Sequence, residues 1–280
     1  MLDAAPACAP ALRYVCVERS AVLRAEAADL LPTEPAENVF GAVVGGDLDE
    51  ERVVPGTGPV VAVLDDLPLV PVTGMVLANE LLDNLPFRLF ERSADGWCEV
   101  LVGVDDTGAL HELVVGAAED DGAELARLVP GAAVGARAPL QRDANAWVRR
   151  AVASLVRGRV LLIDYADTTP SLAARPVDEW LRTYRGHQRG SAPLDAPGTQ
   201  DVTCEVAVDQ LPPPATNRSQ EEWLRAHGVD DLAAAARGEW EARAHIGDLA
   251  ALKARSRANE ATALTDTTGL GAFRVLEWVV

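Results

Sequence analysis

A chain of 280 residues, 49% of them hydrophobic, can bury one large core or one core with a smaller second lobe. Its formal net charge of -18 repels phosphate backbones and anionic lipid surfaces, which argues against nucleic-acid and membrane partners. No apolar run reaches the length of about 18 residues that a membrane helix needs, and the first ten residues do not resemble a secretory signal. The four cysteines show no CxxC pairing, so we expect reduced thiols in a cytoplasmic protein.

The first elements form a strand, a turn and a helix. Residues 14–17 are a short β-prone run that Glu18 closes. Ser20 is placed to cap an Ala/Leu-rich helix that reaches about residue 31. The acidic side chain therefore stands at the carboxyl end of the predicted strand.

A second apolar run also ends in acidic residues. Residues 32–59 are rich in proline, glycine and acid, and are typical of a surface excursion, with a short strand at 39–44. Residues 60–64 are continuously apolar and end in Asp65 and Asp66. This run again predicts a buried strand that carries carboxylates at its carboxyl end.

The third such run, at residues 75–80, ends in Asn79 and Glu80, and Asp83 follows three residues later. In open α/β sheets the carboxyl ends of the strands are where ligands bind, so the pattern predicts a polar site. An alternative interpretation is a polar turn that only caps the next segment, with Asp83, Asn84 and Pro86 as turn formers.

Three further strand-like runs follow, separated by Ala-Asp-Gly and Asp-Thr-Gly turns. They cover residues 87–91, 97–104 and 110–115. Successive hairpins of this kind predict an antiparallel insertion over residues 87–117 beside the main sheet.

The clearest helical pattern covers residues 142–156, with Gly158 as its predicted terminator. Residues 160–163 follow as a buried strand, which ends in Asp164 and Tyr165. Buried strands without alternation, preceded by helices, predict an α/β fold with a mostly parallel sheet covered on both faces.

The remainder of the chain contains one basic and aromatic cluster, TYRGHQRG at residues 183–190, in an otherwise acidic protein. The patterns then predict a strand at 200–208, helices at 219–227 and 239–255, and a terminal strand at 271–280.

Several familiar chemistries have no support in the sequence. The four histidines are scattered, with no HExxH pattern, so no metal site is expected. There is neither a GxSxG elbow nor a GxxxxGK[ST] phosphate loop. Glu18 remains well placed to accept hydrogen bonds from a ribose, and Asp65 or Asp66 to meet an adenine amine. An exposed acid ahead of a helix and an ordinary acidic turn explain these residues equally simply.

A set of motifs occurs in one order along nearly the whole chain. They are VERSAVLR at 17–24, ANELLDNLPF at 78–87, IDY at 163–165, LRTYRGH at 181–187, PLDAPGTQDVT at 193–203 and LTDTTGLGAFRVL at 264–276. In this combination the chain resembles the MidA-like family of class I S-adenosylmethionine-dependent methyltransferases. That family includes a mitochondrial complex I assembly factor that methylates a protein arginine.

The resemblance implies a single Rossmann-like methyltransferase domain over residues 1–280, with S-adenosylmethionine as cofactor and a protein substrate as partner. It assigns Glu18 to the cofactor ribose and places Asn79, Glu80 and Asp83 at the methyl donor and the incoming nucleophile. A family-specific insertion over residues 166–215 lies on the substrate side. The substrate-binding candidates are Asp164, Tyr165, Tyr184, Arg185 and His187. The last three also fit a structural loop cluster, and a homodimer is compatible with a sequence that leaves the oligomeric state open.

The chain also departs from the family pattern. No acidic, glycine-rich loop precedes Glu18, so we expect an N-terminally truncated sheet, with Met1 an internal start of a longer product. Ala166 stands where relatives have glycine, and Glu179-Trp180 where they have Gly-Thr. The alternative function is therefore a non-catalytic, methyltransferase-like binding or assembly protein.

Overall fold

The computed structural model describes residues 7–40, 58–186 and 188–280. The chain divides into two compact units. The first contains the described residues up to Thr73 together with Ala153–Val156, and the second contains Gly74–Val152 and Arg157–Val280. Within the described ranges no helix is long and apolar enough to cross a bilayer.

The first unit is built on two parallel strands. Its elements are β1 (Arg13–Val17), α1 (Ala21–Leu30), α2 (Ala36–Phe40) and β2 (Val60–Leu64). Strand β1 pairs with β2 in parallel over their full length. The Ser20 hydroxyl accepts a hydrogen bond from the Leu23 amide and caps α1, as the sequence predicts. The strand predicted at 39–44 is wrong where it can be checked, because Val39 and Phe40 lie in α2; residues 41–44 are outside the described ranges.

Two longer strands begin in the first unit and continue in the second, β3 (Val72–Asn79) and β8 (Leu155–Asp164). The other strands of the second unit are β4 (Arg88–Arg92), β5 (Trp97–Val104), β6 (Leu110–Gly116), β7 (Arg137–Leu140), β9 (Ala166–Asp167), β10 (Leu181–Arg185), β11 (Gln188–Arg189), β12 (Asp201–Cys204), β13 (Val206–Ala207), β14 (Thr216–Ser219) and β15 (Arg274–Val279). Its helices, of which α4 has its last residue in the first unit, are α3 (Glu119–Leu128), α4 (Arg142–Ala153), α5 (Thr169–Ala173), α6 (Val177–Trp180), α7 (Gln220–Ala226), α8 (Val229–Arg243) and α9 (Leu249–Leu264).

The main sheet has the strand order β14-β15-β8-β3. Strand β15 is antiparallel to both of its neighbours. Strands β3 and β8 run in the same direction, since the Val72 amide bonds to the Ser154 carbonyl and the Glu80 amide to the Ile163 carbonyl. The sheet is therefore mixed, whereas the sequence predicts a mostly parallel one. Its one parallel pair places the carboxyl ends of β3 and β8 side by side.

Gly158 marks an irregularity in this parallel pair. Between the two hydrogen-bonded ends, β8 has one more residue than β3, as in a β-bulge. Gly158 has φ +148°, and a Cβ placed on it would lie 1.8 Å from the Gly74 carbonyl oxygen. The helix predicted at 142–156 is thus too long: α4 ends at Ala153, residues 155 and 156 belong to β8, and Gly158 lies inside a strand.

The three strands in the range of the predicted insertion form an antiparallel sheet together with β7, which lies outside that range; the strand order is β6-β5-β4-β7. This sheet has its own core, in which the fully buried side chains of Phe90 on β4 and Leu125 on α3 belong to one cluster. Asp121 on α3 is 4% exposed and pairs with Arg88 at 2.7 Å and Arg142 at 2.6 Å. Both arginines hold the pKa of Asp121 below its usual value, despite the opposing effect of burial, the largest single influence.

The helix predicted at 239–255 is wrong in its bounds, because two helices cover that region. Helix α8 ends at Arg243 and α9 begins at Leu249. The Asp248 carboxylate accepts the Ala251 amide at 2.9 Å, so it starts a new helix rather than sitting inside one. Helices α8 and α9 pack on each other and bury Ala233 and Ala261 against Val229.

Candidate active site

Asp164 connects the carboxyl ends of β3 and β8. Its Oδ2 accepts the backbone amides of Leu82 at 3.0 Å and Asp83 at 3.4 Å, which begin the 3-10 helix after β3. Its Oδ1 accepts the Tyr165 amide at 2.9 Å. The carboxylate is 3% exposed. This buried acid therefore anchors the turn after β3 to the carboxyl end of β8.

Two buried carboxyl groups lie together here, because Asp83 is also 3% exposed. Burial raises the pKa of Asp164 to about 8, and the charge of Asp83 adds to this against the three amide donors. Burial likewise raises the pKa of Asp83 to about 6, and the charge of Glu80 raises it further. Hydrogen bonds from the Asn84 side chain and from the backbone amides of Asn84 and Asp83 lower it in part. At neutral pH the pair therefore retains a proton that isolated carboxyls would lose.

This pair is expected to make the folded chain less stable as the pH rises. Both pKa values are raised above the ordinary value of 3.8, so the folded state favours the protonated forms. Their contribution to stability is complete below about pH 4 and is lost as the pH passes about 6 and then about 8. Asp83→Asn should reduce the fall in melting temperature between about pH 5 and pH 9, because it removes one titrating group and the charge that raises the pKa of the other.

Asp95→Asn is the matched control, since it removes the same charge from an exposed turn and should keep the wild-type pH dependence. Thermal unfolding followed by circular dichroism at several pH values measures both variants. Equal slopes for the two variants would contradict the raised pKa values of Asp83 and Asp164.

Glu80 stands apart from the two buried acids because it is exposed and has an unusual backbone. Its φ is +49°, in the left-handed region that side chains other than glycine seldom occupy. The side-chain amide nitrogen of Asn79, Nδ2, donates to Glu80 Oε1 at 3.2 Å, and Asn79 is exposed as well. The turn that Asp164 fixes therefore presents Glu80 and Asn79 to solvent at the end of β3.

Tyr165 follows Asp164 directly and lies between the acidic residues and a group of arginines. Its ring centroid is 4.0 Å from that of Phe273, and the Arg182 guanidinium lies over it at 5.7 Å. Burial raises the pKa of Tyr165 to about 12, and Glu80 is the next contributor. The phenol therefore stays protonated at physiological pH and is available as a hydrogen-bond donor.

Two other predicted substrate residues, Tyr184 and Arg185, lie on β10 of a small antiparallel sheet with the order β11-β10-β12. Tyr184 on β10 is opposite Arg189 on β11, whose guanidinium lies 5.9 Å from the tyrosine ring centroid. Arg185 is exposed and donates to the carbonyl and hydroxyl oxygens of Thr199. His187 lies outside the described residues.

The predicted cofactor residues Glu18, Asp65 and Asp66 belong to the first unit. They follow β1 and β2, whose carboxyl ends are adjacent because the two strands are parallel. Glu18 Oε1 accepts the Ser20 amide at 2.7 Å. Asp66 Oδ1 accepts the Leu67 amide at 2.8 Å, and Asp65 is exposed. Asn79, the fourth predicted cofactor residue, is in the second unit.

Three arginines that line a pocket with Tyr184 were not among the predicted site residues: Arg175, Arg182 and Arg189. The only signal was the basic and aromatic run at 183–190, which contains just one of them. The contacts of Asp164 to the turn after β3 were not predicted either, because they join residues that are separated by 81 and 82 positions in the chain.

Comparison with known proteins identifies a family. The family model described as "Putative S-adenosyl-L-methionine-dependent methyltransferase" matches residues 1–226. The mitochondrial protein arginine methyltransferase NDUFAF7 of Danio rerio is 26% identical over 166 residues, which cover 55% of this chain and 37% of the relative.

Two crystal structures from Burkholderia thailandensis resemble the fold. One, of an uncharacterised protein, gives a TM-score of 0.66 at 28% identity and covers 79% of this chain and 58% of its own. The other, a "likely methyl transferase" bound to S-adenosyl-homocysteine, gives 0.71 at 26% identity and covers 96% and 64%.

The chain thus spans less than two thirds of the length of each of these relatives. The α/β fold class is confirmed by the two related structures. The family description names S-adenosylmethionine, so the cofactor expected from the sequence is confirmed for the family. The resemblance to the MidA-like methyltransferases is confirmed, and the chain belongs to this family of S-adenosylmethionine-dependent methyltransferases.

Proposed function

We propose that this protein acts in S-adenosylmethionine-dependent N-methylation of a protein arginine or a related group. The observation that carries the proposal is the acidic group at the carboxyl ends of two adjacent parallel strands. There Asp164 anchors the turn that presents Glu80, and Asp83 is buried next to Asp164. A protein arginine is supported by the Danio rerio relative, which is a protein arginine methyltransferase.

A guanidinium acceptor suits this arrangement because its charge is offset by carboxylates. The exposed Glu80 can hold two N–H groups of a guanidinium and orient the third nitrogen for in-line attack. Asp83 and Asp164 are too buried to replace it, and they contribute negative charge and a fixed backbone. Most of the acceleration then comes from holding the two reactants close and in line.

The acids of the first unit fit the adenosine part of the cofactor. Glu18 is half-buried, and its Oε1 is engaged by the Ser20 amide, which leaves Oε2 to accept from a ribose hydroxyl. The exposed Asp65 at the end of β2 is available to an adenine amine. When bound, S-adenosylmethionine would supply the methyl group from its sulfonium and leave as S-adenosylhomocysteine, and the acceptor nitrogen would release its proton to the solvent around the exposed Glu80. A cytoplasmic location belongs to the same proposal and is supported by four free cysteines.

Cofactor binding tests the assignment of Glu18. Glu18→Gln should weaken S-adenosylmethionine about tenfold, because a charge-assisted hydrogen bond to the ribose becomes a neutral one. Isothermal titration of the 280-residue chain gives the dissociation constants. Glu26→Gln is the matched control, since Glu26 is an exposed glutamate of the same unit, and its affinity should equal the wild type.

A methyl-transfer assay with labelled S-adenosylmethionine and arginine-containing peptides tests the activity itself. Label in the arginine side chain, identified by mass spectrometry, is the expected result. Cofactor binding without label in any peptide would overturn the arginine assignment. No cofactor binding at all would instead favour the non-catalytic binding protein.

A further inference from the structure

A second, chemically different site lies in the same unit as the acidic group. It is an open pocket of about 460 Å³, lined by Arg175, Asp178, Glu179, Arg182, Tyr184 and Arg189. Three guanidinium groups around one pocket are notable in a chain whose net charge is -18. Arg182 lies on β10, Arg189 on β11 and Arg175 in the segment after α5, while α6 supplies the two acidic lining residues.

Backbone carbonyl groups hold two of these arginines in place. Arg182 Nε donates to the Glu179 carbonyl oxygen at 2.6 Å. Arg189 Nη2 donates to the Asp178 carbonyl oxygen at 2.6 Å. A carbonyl orients a guanidinium without neutralising its charge, so both groups keep their attraction for an anion.

The carboxylates near the pocket compensate the three arginines unequally. Arg175 pairs with Glu205 at 3.2 Å and Asp167 at 3.4 Å. Arg182 reaches only Glu205, at 3.9 Å, and in the described part of the chain Arg189 forms no ion pair. Glu205 is thus shared between two arginines. Asp178 and Glu179 also line the pocket, but no ion pair of theirs is found among the described residues, so Arg182 and Arg189 are the two guanidinium groups without a close carboxylate partner.

Aromatic rings hold the same two guanidinium groups from one face. Arg182 lies over Tyr165 at 5.7 Å and Arg189 over Tyr184 at 5.9 Å. Stacking on a ring leaves the N–H edge of a guanidinium free for in-plane hydrogen bonds. A planar carboxylate, which accepts two parallel hydrogen bonds from such an edge, is the matching ligand.

Tyr165 joins this pocket to the acidic group. Its amide is bonded to Asp164, which fixes the turn carrying Glu80, while its ring lies under Arg182. A ligand that places a cation at Glu80 and an anion at Arg182 and Arg189 would therefore pass over Tyr165. Besides burial, Glu80 and Arg182 both influence the pKa of the Tyr165 phenol, so both charges lie within electrostatic reach of the same ring. A few residues of extended peptide, at about 3.4 Å each, can cover such a span.

We propose that the pocket of Arg182 and Arg189 binds an acidic side chain of the protein substrate, a few residues from the arginine held at Glu80. The inference rests on the proposed function for the identity of the second charge. It names a substrate class, arginines with a nearby aspartate or glutamate, and makes Arg182 and Arg189 the residues that select it.

Peptide binding tests the proposal without any methyl transfer. The probes are fluorescent 11-residue peptides of glycine and serine with one central arginine and one glutamate, placed two to five residues before or after it. Glutamine replaces the glutamate in a second series. Anisotropy titrations should show one preferred glutamate position, with about fivefold tighter binding than its glutamine counterpart.

Arg189→Gln should remove that difference, and Arg189→Glu should instead favour a peptide with lysine at the same position. Arg257→Gln is the matched control, because it removes an equally exposed arginine from α9 and should keep the preference. The inverted preference of Arg189→Glu also excludes misfolding as the cause of a loss. Equal binding of the glutamate and glutamine peptides at every position would overturn the proposal.

The two proposals fail in different ways. Methyl transfer to arginine peptides without any effect of glutamate would leave the proposed function standing and remove only the acidic-residue pocket. A glutamate preference that Arg189→Gln abolishes, with no methyl transfer to any peptide, would keep the pocket and remove the arginine methyltransferase.

Discussion

Gly158→Ala is expected to destabilise the second unit by about 4 kcal/mol or more, a loss that few single substitutions cause. The new Cβ would lie 1.8 Å from the Gly74 carbonyl oxygen and 2.8 Å from its carbon, both of them backbone atoms that cannot rotate away. The φ of +148° adds a second cost, because alanine seldom adopts it. Urea unfolding followed by circular dichroism gives the free energy of unfolding.

The other side of the same contact supplies the control. A Cβ on Gly74 would meet nothing within 4 Å, so Gly74→Ala should change stability little although it alters the same pair of strands. Gly238→Ala in helix α8 also meets no neighbour and should stabilise by about 1 kcal/mol through helix propensity. A Gly158→Ala variant as stable as Gly74→Ala would contradict the close approach of β3 and β8.

The region before Gly158 also shows why the sequence pattern did not predict the boundary between α4 and β8. Residues 155 and 156 are apolar and continue the helical spacing of α4, so the pattern alone favours a longer helix ended by glycine. The pairing of β8 with β3, which starts at Ser154, makes them a strand instead, and Gly158 lies at the bulge. Strand β5 was predicted with its observed bounds, because turns flank an apolar run that competes with no helical pattern.

The candidate site likewise has features that the sequence predicts and features that only the fold creates. Acidic residues at strand ends are visible in the sequence, since Glu80 and Asp164 directly follow or end apolar runs. Their neighbourhood is tertiary information: the hydrogen bonds from Leu82 and Asp83 to Asp164 depend on β3 lying beside β8. Arg182 and Arg189 come together only when β10 pairs with β11. Charge in a loop-rich segment carries no signal of that pairing.

Glu80 combines two costs that a structural residue would avoid. An L residue at φ +49° is strained by about 1 kcal/mol, and its carboxylate stands near two buried acids, where it raises the pKa of Asp83. Glycine at this position would relieve the strain, and any neutral residue would relieve the charge. A residue that carries both costs is expected to serve the chemistry of the site rather than the stability of the fold.

Changes at Glu80 should therefore separate stability from activity. Glu80→Gly is expected to raise the free energy of unfolding by about 1 kcal/mol and to abolish methyl transfer to arginine peptides. Glu80→Gln, which keeps the size and backbone, should lower kcat roughly 10- to 100-fold, since hydrogen bonds to charged groups contribute about 1.5–3 kcal/mol.

Ala196 provides the matched control for strain, because it is the other described residue besides glycine with positive φ, at +46°. Ala196→Gly should give a similar gain in stability and leave the initial rate of methyl transfer unchanged. If Glu80→Gly stabilised the chain and retained the wild-type rate, Glu80 would be a turn residue only. Strain at Glu80 would then have no catalytic counterpart, and the acceptor guanidinium would have to be held by another group of the second unit.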